Sequence, residues 1–151
     1  MAKRRPIERA LAEETRDFER LSREETTALQ QRWRETFAQR VRRATGEWTY
    51  LDFDWHAFSY EFVYCLSREH ARSAYSKRKA PEFVVLPHQD KEFGYRVRSA
   101  GLPMLGGLDA YVCPVDFEWT MVFTHEEDWC GPYFTTAEWA NKLEPTGDHA
   151  G

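Results

Sequence analysis

Hydrophobic side chains recur at helical spacing over the first 45 residues, whereas they alternate with polar ones in several later segments. Within residues 29–41 every fourth side chain is apolar, which places these side chains along one face of a helix. Ser22 and Glu25 have the spacing of a capping box, so this helix is predicted to begin after Ser22. Gly46 is predicted to end it, because glycine tolerates the left-handed conformation of a helix cap. The apolar positions within residues 7–21 predict an earlier, separate helix.

The middle of the chain predicts a short helix and then a short strand. Ser67 is the expected N-cap of a helix through Lys79 that turns Ala71 and Tyr75 inward. Residues 82–86 form an apolar run between two prolines, which is typical of a short buried strand.

The clearest local pattern is a hairpin in the last third of the chain. Residues 109–113 and 117–124 have strand character, and residues 114–116 between them predict a tight turn. The side chains expected on one face of the second strand are Phe117, Trp119, Met121 and Phe123. Thr135 and Glu138 then have the spacing of a second capping box, which predicts a short final helix.

The order of these elements predicts the fold class. Helices come first and strands mostly later, which favours an α+β fold, with N-terminal helices packed on a mostly antiparallel sheet, over a doubly wound fold. A chain of 151 residues is long enough for one domain and leaves little room for a second. We expect an N-terminal helical arm at residues 1–21, a single α+β domain at residues 22–144 and a flexible tail at residues 145–151.

Charge is distributed unevenly along the chain. Residues 1–43 contain 12 Lys and Arg against 8 Asp and Glu, whereas residues 109–151 contain 1 Lys against 9 acidic residues, a net charge of −8. An acidic segment repels nucleic acid and attracts basic proteins, so we expect a basic protein partner. Nucleic acid is the less favoured partner and could bind only through the N-terminal helices, with Arg40, Arg42 and Arg43. The residues expected to contact the basic protein are Asp109, Asp116, Glu118, Glu126, Glu127 and Asp128.

Two groups of residues are candidates for a reactive or metal-binding site. Asp52, Asp54 and His56 would point the same way on a strand, and together with His125 they offer ligands for a divalent metal. Their spacing matches no diagnostic metal motif, so neither a metal nor a cofactor is expected. Cys130 has no second cysteine nearby, which excludes a dithiol mechanism within its motif.

The sequence predicts a cytoplasmic location without membrane association. No apolar run approaches the ~18 residues that a membrane-spanning helix needs. The three cysteines are odd in number and form no close pair, which argues against disulfide bonds and agrees with a reducing compartment.

Two blocks of sequence resemble a known family. The first block is Trp55-His56-Ala57-Phe58-Ser59-Tyr60, with Cys65 shortly after it, and the second spans residues 116–134. Over roughly residues 30–135, the chain resembles a family of small bacterial proteins known as a domain of unknown function. The resemblance implies a bacterial, cytoplasmic, single-domain protein, and it implies no catalytic role for any residue here.

The two blocks are expected to meet around one pocket or in one structural core. We favour the structural core, because aromatic side chains flank the polar members of both blocks and buried polar groups need hydrogen-bond partners there. The residues of this expected cluster are Trp55, His56, Ser59, Cys65, Trp119, His125, Glu126, Trp129 and Cys130.

The leading functional hypothesis is a non-enzymatic, cytoplasmic protein-binding module with an acidic face. Its most specific version is an immunity protein that neutralises a basic toxin. The alternative is a metal- or thiol-dependent enzyme that uses His56, His125, Glu126 and Cys130. No residue is assigned a catalytic role.

Overall fold

The structure is a computed structural model that describes residues 6–14, 17–46, 63–88, 92–98, 101–125 and 131–141. The helices in these ranges are α1 (Pro6–Glu13), α2 (Arg23–Phe37), α3 (Gln39–Thr45), α4 (Arg68–Ser76) and α5 (Ala137–Asn141). The strands are β1 (Asp17–Arg20), β2 (Leu66–Ser67), β3 (Glu82–Pro87), β4 (Tyr95–Arg98), β5 (Ala110–Pro114), β6 (Trp119–Phe123) and β7 (Tyr133–Thr136).

The strands form one sheet of seven strands in the order β1-β4-β3-β5-β6-β7-β2. Every neighbouring pair in this order is antiparallel. The single-domain α+β fold with an antiparallel sheet is therefore confirmed.

Helices cover both faces of the sheet. Successive strand residues point to opposite faces, and accordingly the neighbours Val84 and Val85 in β3 belong to two different hydrophobic clusters. The first cluster joins α1 and α4 to the sheet, with Leu11 and Tyr75 almost fully buried. The second joins α2, α3 and α5 to the opposite face, where Trp33 is fully buried. The molecule thus has three layers, with the sheet in the middle.

The predicted ends of the helical segment that begins after Ser22 are confirmed. The Glu25 backbone N–H donates to Ser22 Oγ at 3.0 Å, and the Ser22 N–H donates to the Glu25 carboxylate at 3.2 Å. Gly46 has a φ of 82° and donates its N–H to the carbonyl of Arg42. Between these ends the segment is interrupted at the buried Ala38, which separates α2 from α3.

The predicted helix over residues 7–21 is wrong beyond Glu13. Asp17–Arg20 is an edge strand, in which Phe18 pairs with Val97 of β4 and packs edge-on against the Tyr95 ring at 5.9 Å. The spacing of seven residues between Leu11 and Phe18 fits one face of a helix. In the structure, however, the backbone N–H and C=O groups of this segment form hydrogen bonds with β4 and not within a helix.

The other local predictions are confirmed with small shifts. The predicted helix begins after Ser67 and ends at Ser76 instead of Lys79, but the Ser67 side chain makes no capping hydrogen bond. The predicted strand 82–86 extends through Pro87. The final helix is capped one residue later than predicted, because Thr136 and not Thr135 accepts the backbone N–H of Trp139.

The predicted hairpin is confirmed, except for the side of one aromatic residue. β5 and β6 pair with Val112 opposite Met121, and Trp119, Met121 and Phe123 share one face as predicted. Phe117 packs into the cluster on the opposite face. Phe117 has a φ of 57°, in the left-handed region. Its side chain therefore does not follow the alternation of faces in β6, which begins two residues later.

Candidate functional site

The two ends of the β5–β6 hairpin carry the acidic and histidine residues that the sequence predicts for a site and that the structure describes. We call residues 115–118, which connect the two strands, the turn end. We call the opposite end, where Asp109 precedes β5 and His125 follows β6, the cleft end. Six residue steps separate Asp109 from Val115, which corresponds to roughly 20 Å at about 3.3 Å per residue.

A cleft of about 170 Å³ lies at the cleft end. The start of α1, the connection from β3 to β4 and the loop before β5 form its walls. The apolar side chains of the cleft come from Pro6, Ile7, Pro87 and Leu108. The other lining residues are His88, Glu92, Gly107 and Asp109. The cleft therefore combines two carboxylates and an imidazole with a hydrocarbon wall.

Helix α2 holds the connection between β3 and β4 in place. The buried Gln30 side chain donates through Nε2 to the carbonyl of Pro87 at 2.7 Å. Four residues earlier on α2, Thr26 Oγ1 accepts the backbone N–H of Gly94 at 2.9 Å. The connection that carries His88 and Glu92 is thus attached to α2 at both of its ends.

Asp109 lies between two histidines. The His125 backbone N–H donates to Asp109 Oδ1 at 2.9 Å, and His125 Nδ1 lies 2.8 Å from Oδ2. On the other side, His88 Nδ1 lies 3.8 Å from the same Oδ2. The side chain of His88 is only 4% exposed, compared with 17% for Asp109 and 44% for His125. Since Asp109 engages Nδ1 of His125, the neutral ring carries its lone pair on Nε2.

The turn end has a different character. Its carboxylates, Asp116 and Glu118, are exposed, and Val115 beside them is 43% exposed. Its backbone is fixed, because the Phe117 N–H donates to the carbonyl of Pro114 at 2.9 Å and the Glu118 N–H donates to the Asp116 side chain at 3.1 Å.

Helix α2 also supports the turn end. Phe117 is buried, and the guanidinium of Arg32 lies 4.2 Å from the centre of its ring. This distance is within the range of a cation–π contact. Gln30 and Arg32, two residues apart on α2, therefore support opposite ends of the hairpin.

The structure divides the predicted acidic face. Asp116 and Glu118 lie together at the turn end, whereas Asp109 lies at the cleft end and accepts hydrogen bonds from His125. The remaining predicted contact residues lie outside the described residues: Glu126, Glu127 and Asp128.

The described members of the predicted motif cluster do not share one pocket. Trp119 is 3% exposed and stacks on Phe134 within the core beneath α1 and α4. Cys65 is half-buried against the core on the opposite face of the sheet, and His125 is at the cleft end. The predicted motif and metal residues that lie outside the described residues are Asp52, Asp54, Trp55, His56, Ser59, Glu126, Trp129 and Cys130.

His88 and Glu92 were not singled out from the sequence. In the antiparallel pairing of β3 with β5, Pro87 lies opposite Ala110. His88, which follows Pro87, therefore lies beside Asp109, which precedes Ala110. Pairing between segments this far apart in sequence is not visible in a local pattern.

The described residues contain no metal-ligand cluster, and one of their two free cysteines is a poor nucleophile. Within them, no group of three or more His, Cys, Asp and Glu side chains has the arrangement of a metal site. Cys113 is fully buried, and burial raises the pKa of its thiol, an effect that a hydrogen bond with Thr120 partly opposes. Such a thiol stays protonated and is a poor nucleophile. Among these residues, too, no helix has the length and apolarity to cross a membrane.

The comparisons with known proteins agree with the predicted resemblance. Neither a curated protein nor a solved structure matches the chain. A family model matches residues 14–134, and this match includes β1, which precedes the segment over which the resemblance was expected. The chain belongs to the family described as a domain of unknown function, DUF4275.

Proposed function

We propose that this domain is a non-enzymatic, cytoplasmic protein-binding module that recognises a basic protein through the turn end of the hairpin. An immunity protein that neutralises a basic toxin is the most specific form of this proposal. One observation carries it: the exposed apolar side chain of Val115 stands beside the exposed carboxylates of Asp116 and Glu118 on a fixed turn.

The turn end combines a fixed shape with negative charge. A turn with a fixed backbone loses little conformational entropy when it binds, so more of its interaction energy appears as affinity. Val115 offers apolar area, and the two carboxylates offer acceptors for Lys or Arg. Within the described residues, neither Asp116 nor Glu118 makes an ion pair. The net charge of −8 over residues 109–151 adds long-range attraction for a basic protein.

Charge reversal at the turn end tests the proposal. A partner is first isolated by affinity purification from the native host, and its affinity is then measured by titration calorimetry. The double variant Asp116→Lys, Glu118→Lys is expected to bind on the order of ten to a hundred times more weakly than the unmodified protein.

A matched control distinguishes the loss of the turn-end carboxylates from a general change in net charge. The double variant Glu13→Lys, Glu69→Lys changes the net charge by the same amount, at exposed positions on α1 and α4. These helices cover the face of the sheet opposite α2, so this control is expected to keep its affinity at moderate salt. Unchanged binding by the turn-end variant would reject the turn as the contact surface.

The enzymatic alternative rests on His56, His125, Glu126 and Cys130. Among them the structure describes only His125, and its hydrogen bonds to the Asp109 carboxylate give its ring the fixed orientation that an acid–base catalyst needs. Elemental analysis of protein purified without added metal tests the metal-dependent form. A stoichiometric transition metal would favour this alternative over the binding module.

A further inference from the structure

We propose that the exposed side of α4, together with the aromatic pair Tyr64 and Trp139, binds single-stranded nucleic acid. These residues are separate from the turn end, so a nucleic-acid partner is additional to the basic protein. Three features support the assignment: the local charge of α4, the exposed ring of Tyr64 and the contacts that hold both on one face of the sheet.

Positive charge is concentrated on α4 and on the residues that follow it. Residues 68–79 contain 5 Lys and Arg against 1 Glu, a net charge of +4. Over residues 44–108 as a whole, 8 Lys and Arg balance 8 Asp and Glu, which conceals this concentration in a count along the chain. Lys77 and Lys79 are exposed, and Arg72 is partly exposed. Within the described residues, none of these three makes an ion pair, so no carboxylate there neutralises them.

An exposed aromatic ring lies on the same face of the sheet as α4. Tyr64 is 61% exposed, and its ring packs edge-on against Trp139 at 5.4 Å. Trp139 is partly exposed and packs against the same hydrophobic cluster as Ala71 and Tyr75 of α4. Aromatic rings on a protein surface stack with unpaired bases, whereas the bases of a duplex are already stacked on one another. An exposed ring close to a basic helix therefore favours a single strand.

Direct contacts connect the end of α4 to the aromatic pair. The guanidinium of Arg78, two residues after α4, lies 5.2 Å from the centre of the Phe134 ring. Phe134 in turn packs edge-on against Trp139 at 6.4 Å. The next residue of β7, Thr135, donates its hydroxyl to the carbonyl of Tyr64 at 2.7 Å. The basic end of α4 and the exposed ring are therefore held at neighbouring positions on one strand.

A single strand of nucleic acid offers both kinds of group that this surface can bind. Its phosphates attract Lys and Arg, and each unpaired base offers a face for stacking. At about 0.1 M salt a charge acts over only about 10 Å, so the local charge of α4 counts for more than the net charge of −4 of the whole chain. Neither contact uses the 2′-hydroxyl or the edge of a base, so we expect little discrimination between DNA and RNA.

Fluorescence anisotropy of a labelled strand of ten deoxythymidines, titrated with the full chain, tests the proposal. In about 0.1 M salt we expect a Kd on the order of 10 μM, as is typical of sequence-independent binding. A strand of ten uridines is expected to bind within about threefold of this value. A hairpin duplex of ten base pairs is expected to bind about fivefold more weakly, because its bases offer no free face to Tyr64.

Two outcomes of these titrations would overturn the proposal. One is a duplex that binds as tightly as the single strand, because the exposed ring would then contribute nothing. The other is the absence of binding by either strand. Vesicles of phosphatidylglycerol are titrated in parallel, and binding to them without binding to a strand would assign the basic surface to a membrane instead.

A pair of charge variants locates the phosphate contacts. Lys77→Gln, Lys79→Gln is expected to weaken binding of the deoxythymidine strand at least about tenfold. It should also reduce, by about one, the slope of the logarithm of the association constant against the logarithm of the salt concentration. The matched control, Arg42→Gln, Arg43→Gln, removes the same charge at exposed positions of α3, on the opposite face of the sheet. The control is expected to change the affinity by less than about twofold, and an equal loss in both double variants would contradict the assignment.

Tyr64 variants test the stacking contact. Tyr64→Leu keeps an apolar side chain without the ring and is expected to weaken binding at least about fivefold, with an unchanged dependence on salt. Tyr64→Phe keeps the ring and is expected to bind like the unmodified protein, and amide spectra show whether each variant is folded. An unchanged affinity of Tyr64→Leu would contradict stacking. Because none of these variants alters residues 115–118, their failure would leave the turn-end proposal intact.

Discussion

The two ends of the β5–β6 hairpin place similar carboxylates in opposite settings. At the turn end, Asp116 and Glu118 are exposed beside an exposed valine. At the cleft end, Asp109 is mostly buried and accepts hydrogen bonds from His125, with His88 close to the same oxygen. Exposed charges act on a partner over long distances, whereas an enclosed carboxylate selects by direct contact. Residues that form one acidic group in the sequence therefore lie in two chemically different settings in the fold.

The largest expected effect concerns the attachment of the cleft end to α2. Replacing Gln30 by Leu removes its hydrogen bond and leaves the buried carbonyl of Pro87 without that donor. We expect the free energy of unfolding, measured with urea, to fall by about 2 kcal/mol. Gln31→Leu, on the neighbouring position of the same helix, is the control and should change it by less than about 0.5 kcal/mol. A loss of similar size in both variants would contradict this role for Gln30.

The second prediction compares the two ends directly. Asp109→Ala removes the acceptor of the His125 hydrogen bonds and should lower the free energy of unfolding by about 2 kcal/mol. Asp116→Ala removes one exposed hydrogen bond from the Glu118 N–H and should lower it by only about 0.5 kcal/mol. Thermal and urea unfolding of the two variants measure the difference. Equal losses in the free energy of unfolding would mean that the hydrogen bonds of Asp109 contribute no more to stability than the hydrogen bond of Asp116.

A smaller effect is expected at the contact between α2 and the turn end. Arg32→Met keeps much of the aliphatic stem over Phe117 but removes the guanidinium, so the free energy of unfolding should fall by about 0.5–1 kcal/mol. Hydrogen exchange at the turn amides should also become faster, while exchange at Gly94 stays unchanged. Faster exchange at both places would show that the variant loosens α2 as a whole.

The smallest expected effect is a dependence on pH at the start of α2. Hydrogen bonds from Ser22 lower the pKa of Glu25, so the charged carboxylate is favoured in the folded state. This stabilisation is present above the pKa of the unfolded chain and is lost as the pH falls through the lower pKa of the folded one. Glu25→Gln should therefore show a weaker loss of stability than the unmodified protein in urea unfolding between about pH 5 and pH 3. If the free energies of unfolding of the two proteins changed equally with pH, that result would contradict a role of Glu25 in the capping box.

Much of the fold was predictable because its signals are local. The cap at Ser22 and the glycine at the end of α3 depend on a few neighbouring residues, so a pattern in the sequence identifies them. The strand β1 was not predictable in this way. Phe18 belongs to a strand only because Val97, far along the chain, offers a backbone to pair with.

The arrangement of residues at the cleft end was even less predictable from local sequence patterns. Asp109 and His125 were each singled out from the sequence, but for different roles, and nothing local indicated that they touch. His88 is brought to them by the register between β3 and β5, which no local periodicity specifies. Phe117 was assigned to the wrong face, because alternation fails where a residue adopts a positive φ.

Hydrogen exchange of the hairpin in the presence and absence of a purified basic partner tests the central claim most directly. We expect slower exchange at residues 115–118 of the turn end on binding, with exchange at residues 107–109 of the cleft end unchanged. Protection at residues 107–109 without protection at the turn end would contradict it, because the partner would then bind at the cleft.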